Sequence, residues 1–184
     1  MRRVLAMTAC CALLAGCGGG TRQDADEASG TYELKVVSAT FPQSQSISEP
    51  AKLRIAVRNT GEGTAPDVAV SLDGLYRRNE MPGLADPEQP VFIVDEEPQD
   101  GHTAYVGTWA LGPLPAGGTR EFTWKLTPAV AGTHTVKYTV AAGLDGKAKA
   151  RTAGGGPPSG SITVRVSDAP ADATVNPETG AVER

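Results

Sequence analysis

The sequence predicts an all-β chain, a single antiparallel β-sandwich of about seven to nine strands between disordered N- and C-terminal tails. Three observations carry this. Apolar residues recur with a period of two in seven separate stretches, Gly, Pro, Asn or Asp closes each stretch, and no stretch shows a helical period. Strands with one apolar and one polar face belong to antiparallel sheets, since parallel sheets are covered on both sides. A length of 184 residues suits one domain with tails and leaves no room for two catalytic domains. With 17 basic against 21 acidic side chains, a net charge of −4, general nucleic-acid binding is not expected. The 22 Gly and 14 Pro are many, yet the Val/Thr-rich runs between them exclude a wholly disordered chain.

The chain opens with Met1-Arg2-Arg3, an apolar run from Val4 to Leu14, and the small residues Ala15-Gly16. This is the layout of an export signal, and the run is shorter than the ~20 residues that span a bilayer. Leu14-Ala15-Gly16-Cys17 resembles the lipobox of bacterial lipoproteins. The resemblance implies cleavage between Gly16 and Cys17, lipidation of the Cys17 thiol, and attachment to a cell membrane on its extracytoplasmic face. Signal removal takes away Cys10 and Cys11, and lipid consumes Cys17, so the mature domain has no thiol for a disulfide, a nucleophile or a metal. Loss of Arg2 and Arg3 lowers the 17 basic side chains to 15 against 21 acidic ones, a net of −6.

Residues 17–30 hold the lipidated Cys and a polar, Gly-rich stretch that reads as a flexible tether. Then come the strands. Tyr32, Leu34 and Val36 alternate with Glu33 and Lys35; Leu53, Ile55 and Val57 with Lys52, Arg54 and Arg58; Val68, Val70 and Leu72 with Asp67, Ala69 and Ser71. Tyr105, Trp109 and Leu111 share a parity, as do Phe122, Trp124 and Leu126. His134, Val136, Tyr138 and Val140 oppose a row of Thr and Lys, and Ile162, Val164 and Val166 oppose Thr163 and Arg165. Asn59-Thr60-Gly61, Asp73-Gly74, Gly112-Pro113, Gly117-Gly118 and Asp145-Gly146 are turn chemistry between them. Seven short strands so punctuated fit an immunoglobulin-like domain over 31–168, with a long insertion at 73–104, and 169–184 reads as a disordered tail.

AVRNTGEGTAPDVAVSL within Ala51–Leu72 resembles the strand–NTG–strand entry of the bacterial cell-adhesion-related Ig-like repeats, the CARDB family. The run TWALGPLPAGGTREFTWKLTPAVAGTHTVKYTV resembles that family's later turn and strands, and together the matches cover roughly 50–140. The resemblance implies a surface binding or spacer module. It brings no catalytic residue and no cofactor.

Candidates for chemistry are few. His134 falls on the inward parity of its strand after Gly132 and reads as a core histidine whose polar tip bonds a turn, while His102 reads as a loop residue. No Gly-x-Ser-x-Gly elbow is present, and two histidines 32 positions apart are poor material for zinc. The acids Asp95, Glu96, Glu97 and Asp100 lack the Asp-x-Asp-x-Asp-Gly order of a calcium loop. Trp109 and Trp124 read as core and not as a sugar-stacking platform. The best binding candidate is the insertion, where Tyr76 precedes the adjacent Arg77 and Arg78 and Phe92 lies in the apolar run Val91–Val94. Arginine pairs suit carboxylate, phosphate or sugar-acid partners, and long connections in compact domains are often functional. Val91–Val94 has a second reading, as an extra edge strand covered by Tyr76.

The expected function is therefore a lipid-anchored, non-catalytic envelope protein with a binding or scaffolding domain. Its partners would be the membrane, through lipid, and a protein or envelope polymer, with no metal, cofactor or nucleic acid. The alternatives are an envelope enzyme or metal-dependent protein built around His102, His134 and the 95–100 acids, and a passive spacer.

Overall fold

A computed structural model describes residues 27–78, 83, 88–170, 174–180 and 182–183. In chain order the strands are β1 (Gly30–Thr40), β2 (Ser44–Ile47), β3 (Ala51–Asn59), β4 (Ala69–Asp73), β5 (Tyr76–Arg78), β6 (Glu88–Pro90), β7 (Phe92–Glu96) and β8 (His102–Tyr105). They continue with β9 (Thr108–Ala110), β10 (Thr119–Pro128), β11 (Gly132–Ala141), β12 (Ala148–Arg151), β13 (Ser159–Pro170), β14 (Thr174–Val175) and β15 (Val182–Glu183). A five-stranded sheet of order β12-β1-β3-β10-β7 faces a six-stranded sheet of order β2-β13-β11-β4-β9-β8. This is the expected all-β sandwich. It holds more strands than the alternation reveals because β2, β8 and β12 are short edge strands.

Alternation fixes which face is inside. Leu53, Ile55 and Val57 of β3 and Phe122, Trp124 and Leu126 of β10 are buried from one sheet. Val70, Trp109, Val136, Val140, Val164 and Val166 are buried from the other. Phe122 and Trp124 stand two residues apart on one face and stack at 5.8 Å, and Trp109 reaches across edge-on to Trp124 at 5.5 Å. Each buried side chain of this size contributes about 1.5–3 kcal/mol by leaving water, and each ring pair adds about 0.5–1.5 kcal/mol. Both tryptophans are core, as their parity predicts.

A bulge between Val36 and Ser38 turns β1 so that Phe41-Pro42 cross to the other sheet, where β2 pairs in parallel with β13. Asn59 then ties the loops at the far end of β3. Its side chain is buried, donates to the carbonyls of Gly63 and Leu114 at 2.8 Å each, and accepts the Gly61 N–H at 3.0 Å. The Asn-Thr-Gly turn is thus a hydrogen-bonded hub as well as a reversal.

Several boundaries differ from expectation. Tyr105 and Trp109 do not share a strand: Val106-Gly107 make a hairpin turn, with φ +70° at Gly107, and Tyr105 is exposed on β8. The insertion is strand-rich, because β7 joins β10 at the edge of the five-stranded sheet. The end of the expected tether lies on the domain, where the Glu27 carboxylate accepts the N–H groups of Leu144 and Asp145 at 2.5 and 3.2 Å. In the expected tail, β14 pairs with β15 around Asn176, whose side-chain oxygen accepts the Glu178 and Thr179 N–H groups.

Candidate functional site

β5 and β6 form a two-stranded arm that springs from the end of β4. Two features fix its root. Leu75 is buried, and its carbonyl accepts the N–H of Val91 at 2.8 Å and of Phe92 at 3.1 Å. Gly74 takes φ +89° and passes so close to the Thr135 carbonyl that a Cβ would collide with it. Only glycine suits that position.

Along the arm Tyr76 pairs with Pro90, Arg77 with Gln89 and Arg78 with Glu88. Successive side chains of a strand point to opposite faces, so Arg77 and Arg78 cannot converge on one carboxylate. Of the adjacent arginines, Arg78 alone is therefore on the Tyr76 face. Tyr76, Arg78 and Glu88 share one face, and Arg77 shares the other with Gln89. Tyr76 and Glu88 line a cleft of about 200 Å³ whose far wall is Val106-Gly107, the β8–β9 turn. Val106 is 92% exposed and Tyr76 is 48% exposed. Val106 is absent from the sequence reading, and the signal for it was the Val-Gly pair between two polar strand ends.

Phe92 leaves the candidate face. It is 0% exposed on β7, meets Phe41 at 5.6 Å and contacts His134 edge-on at 5.9 Å. The alternative reading of Val91–Val94 as an edge strand is the observed one, and inward parity at Phe92 explains its burial.

The groups of the envelope-enzyme alternative are held apart. His134 bonds the Val130 carbonyl through Nε2 at 2.9 Å, the turn contact expected of a core histidine. His102 sits on β8, three strands from β11 in the same sheet and level with Ala141, seven residues along from His134, so about 14 Å across the strands adds to about 24 Å along them. The acids are engaged one by one: Asp95 accepts from Thr127 at 2.6 Å, Glu96 pairs with Lys125 at 3.1 Å, and Glu97 accepts from Thr103 at 2.6 Å. Among the described residues no three of His, Cys, Asp and Glu gather as a metal would require. Near His102, burial pushes the Asp67 carboxyl above its ordinary 3.8, against the Gly112 N–H bond and the His102 charge, which lower it.

No family model and no curated protein matches the chain. Among solved structures it is similar to the CARDB domain of the PF1109 protein from Pyrococcus furiosus, a complex with di-metal ions. Identity is 14% and the TM-score 0.48, over 74% of this chain and 89% of that one. It is also similar to a cohesin module of a Clostridium perfringens family 33 glycoside hydrolase, at 9% identity and a TM-score of 0.41, over 75% and 98% of the two chains. A PapD-like domain of human CEP192 gives 16% and 0.39 over 78% and 89%. Identities this low concern fold alone, and TM-scores below 0.5 carry no argument about family, ligand or activity.

Proposed function

We propose that this chain is a lipid-anchored, non-catalytic binding or scaffolding module of a bacterial cell envelope. It engages a carboxylate- or phosphate-bearing partner through the β5–β6 arm and the β8–β9 turn. The observation that carries the reading is the arm, where an exposed Tyr76 stands across a small cleft from an almost fully exposed Val106 and the exposed Arg78 shares the Tyr76 face. Aromatic and arginine side chains so presented are the types that anchor interfaces. Elsewhere the histidine at 134, both tryptophans and Asn59 serve the scaffold.

The location rests on the basic start, the apolar run and Leu14-Ala15-Gly16-Cys17, all of which lie outside the described residues. Two acyl chains at ~0.8 kcal/mol per buried CH₂ hold a protein firmly where one holds it marginally. Cys17→Ser is expected to move the protein from the membrane pellet to the soluble fraction, and continued sedimentation with membranes would count against the anchor. For the binding claim, Tyr76→Ala/Arg78→Ala is compared with wild type by crosslinking in the native cells. The expected outcome is loss of a discrete adduct with the melting temperature preserved. An unchanged adduct leaves the spacer reading in its place.

A further inference from the structure

A second surface has a different chemistry. Lys52 and Arg54 of β3 line an open groove of about 900 Å³ at the side of the sandwich. Its other polar walls are Thr40 and Gln43 at the crossover from β1 to β2, and Ser161 and Thr163 of β13. None of the groove's lining residues is acidic. Lys52 and Arg54 are two residues apart, so they share a face at about 7 Å along the strand.

Their charges are not neutralised by any described residue. Neither forms an ion pair with a described residue. Lys52 stands directly across from Lys125, whose ammonium already pairs with Glu96. Further along the same sheet Lys35 stands directly across from Arg58. Like charges directly opposite one another destabilise a sheet. The chain as a whole is acidic at −4, so carboxylates are in ample supply, yet none lines this groove. An arrangement that works against folding and concentrates positive charge calls for an anion from outside.

From this juxtaposition we infer that the groove binds an acidic polysaccharide through the carboxylates of its sugar units. Arg54 presents a planar fork that matches a carboxylate, and Lys52 a point charge beside it. The hydroxyls of Thr40, Ser161 and Thr163 and the Gln43 amide both donate and accept, as sugar hydroxyls require. A groove of this volume lies within the range of ligand sites and takes a chain lengthwise, whereas a bilayer presents a broad surface. The inference rests on neither the lipid anchor nor the β5–β6 arm.

The test uses the full chain carrying Cys17→Ser, so that no lipid contributes, in affinity electrophoresis through gels containing polygalacturonate or neutral dextran. Retardation is expected in polygalacturonate alone, weakening as salt rises and the Debye length shrinks. Lys52→Gln/Arg54→Gln is expected to weaken binding at least tenfold with a melting temperature at or above wild type, since both side chains are exposed and Lys52 no longer opposes Lys125. Thr163→Glu, which brings a carboxylate to the opposite wall, is expected to do the same, and Lys149→Gln, an exposed cation on β12 outside the groove, to bind as wild type. No retardation of the parent chain, equal retardation in dextran, or indifference to the groove variants would overturn the inference. So would an equal loss in Lys149→Gln, or sedimentation with phosphatidylglycerol vesicles in place of polymer binding.

Discussion

Replacing Asn59 by Ala tests whether the Asn-Thr-Gly turn is a scaffold hub. The side chain makes three hydrogen bonds, to Gly63 and Leu114 at 2.8 Å and from Gly61 at 3.0 Å. Each such bond contributes about 0.5–1.5 kcal/mol net. The Leu114 carbonyl keeps the Ala65 N–H at 3.0 Å, which tempers the loss. A destabilisation of about 2–4 kcal/mol follows. For a domain of this length that lowers the melting temperature by roughly 6–15 °C. Thermal unfolding followed by circular dichroism, with urea midpoints as a second measure, reads it directly. Asn59→Asp sharpens the test. Its carboxylate still accepts from Gly61 but turns oxygens toward two carbonyls, so it is expected to be worse than Ala at neutral pH. It recovers as acid restores a donor. A fall of less than about 2 °C in Asn59→Ala, or an Asp variant indifferent to pH, would refute the hub.

Four further outcomes are expected. Phe92→Ala removes a fully buried ring in contact with Phe41 and His134, and should cost about 3–5 kcal/mol in urea unfolding. A surface role would cost almost nothing. Gly74→Ala forces a Cβ against the Thr135 carbonyl at positive φ, so it should destabilise the domain by about 2 kcal/mol or more and misplace the arm. Burial raises Asp67, so the folded chain holds that proton more tightly than the unfolded one and the ionised form is the disfavoured one. Asp67→Asn, which keeps an acceptor for the Gly112 N–H, should therefore melt at or above wild type at neutral pH, with its advantage shrinking as pH falls through the raised carboxyl range. Glu27→Ala should leave the core intact while speeding protease cleavage ahead of β1, since it frees the Leu144 and Asp145 N–H groups that hold the segment.

The long strands were legible because each buries one face against a partner sheet, which stamps a period of two on β3, β10, β11 and β13. The same parity placed Trp109, Trp124 and His134 inside. Short edge strands were not legible. β2 and β12 pair in parallel with distant strands, and four residues are too few for a periodic signal. Val106-Gly107 passed for strand interior because two residues between polar neighbours hardly disturb an alternation. The site was less legible than the fold for a related reason. Arg77 and Arg78 read as a pair in one dimension, and the strand that carries them sends them to opposite faces. Lys52 and Ser161 read as unrelated, and the crossover after β1 brings them to the walls of one groove.

The central claim is that this sandwich works by contact at an envelope surface, through the arm. A photoreactive residue at position 76 of the anchored protein in its own cells tests it most directly. The account predicts one discrete adduct, lost when Arg78 is replaced by Ala and retained when the exposed Val37 on β1 is replaced by Ala. A featureless smear, or an adduct insensitive to Arg78, would contradict it.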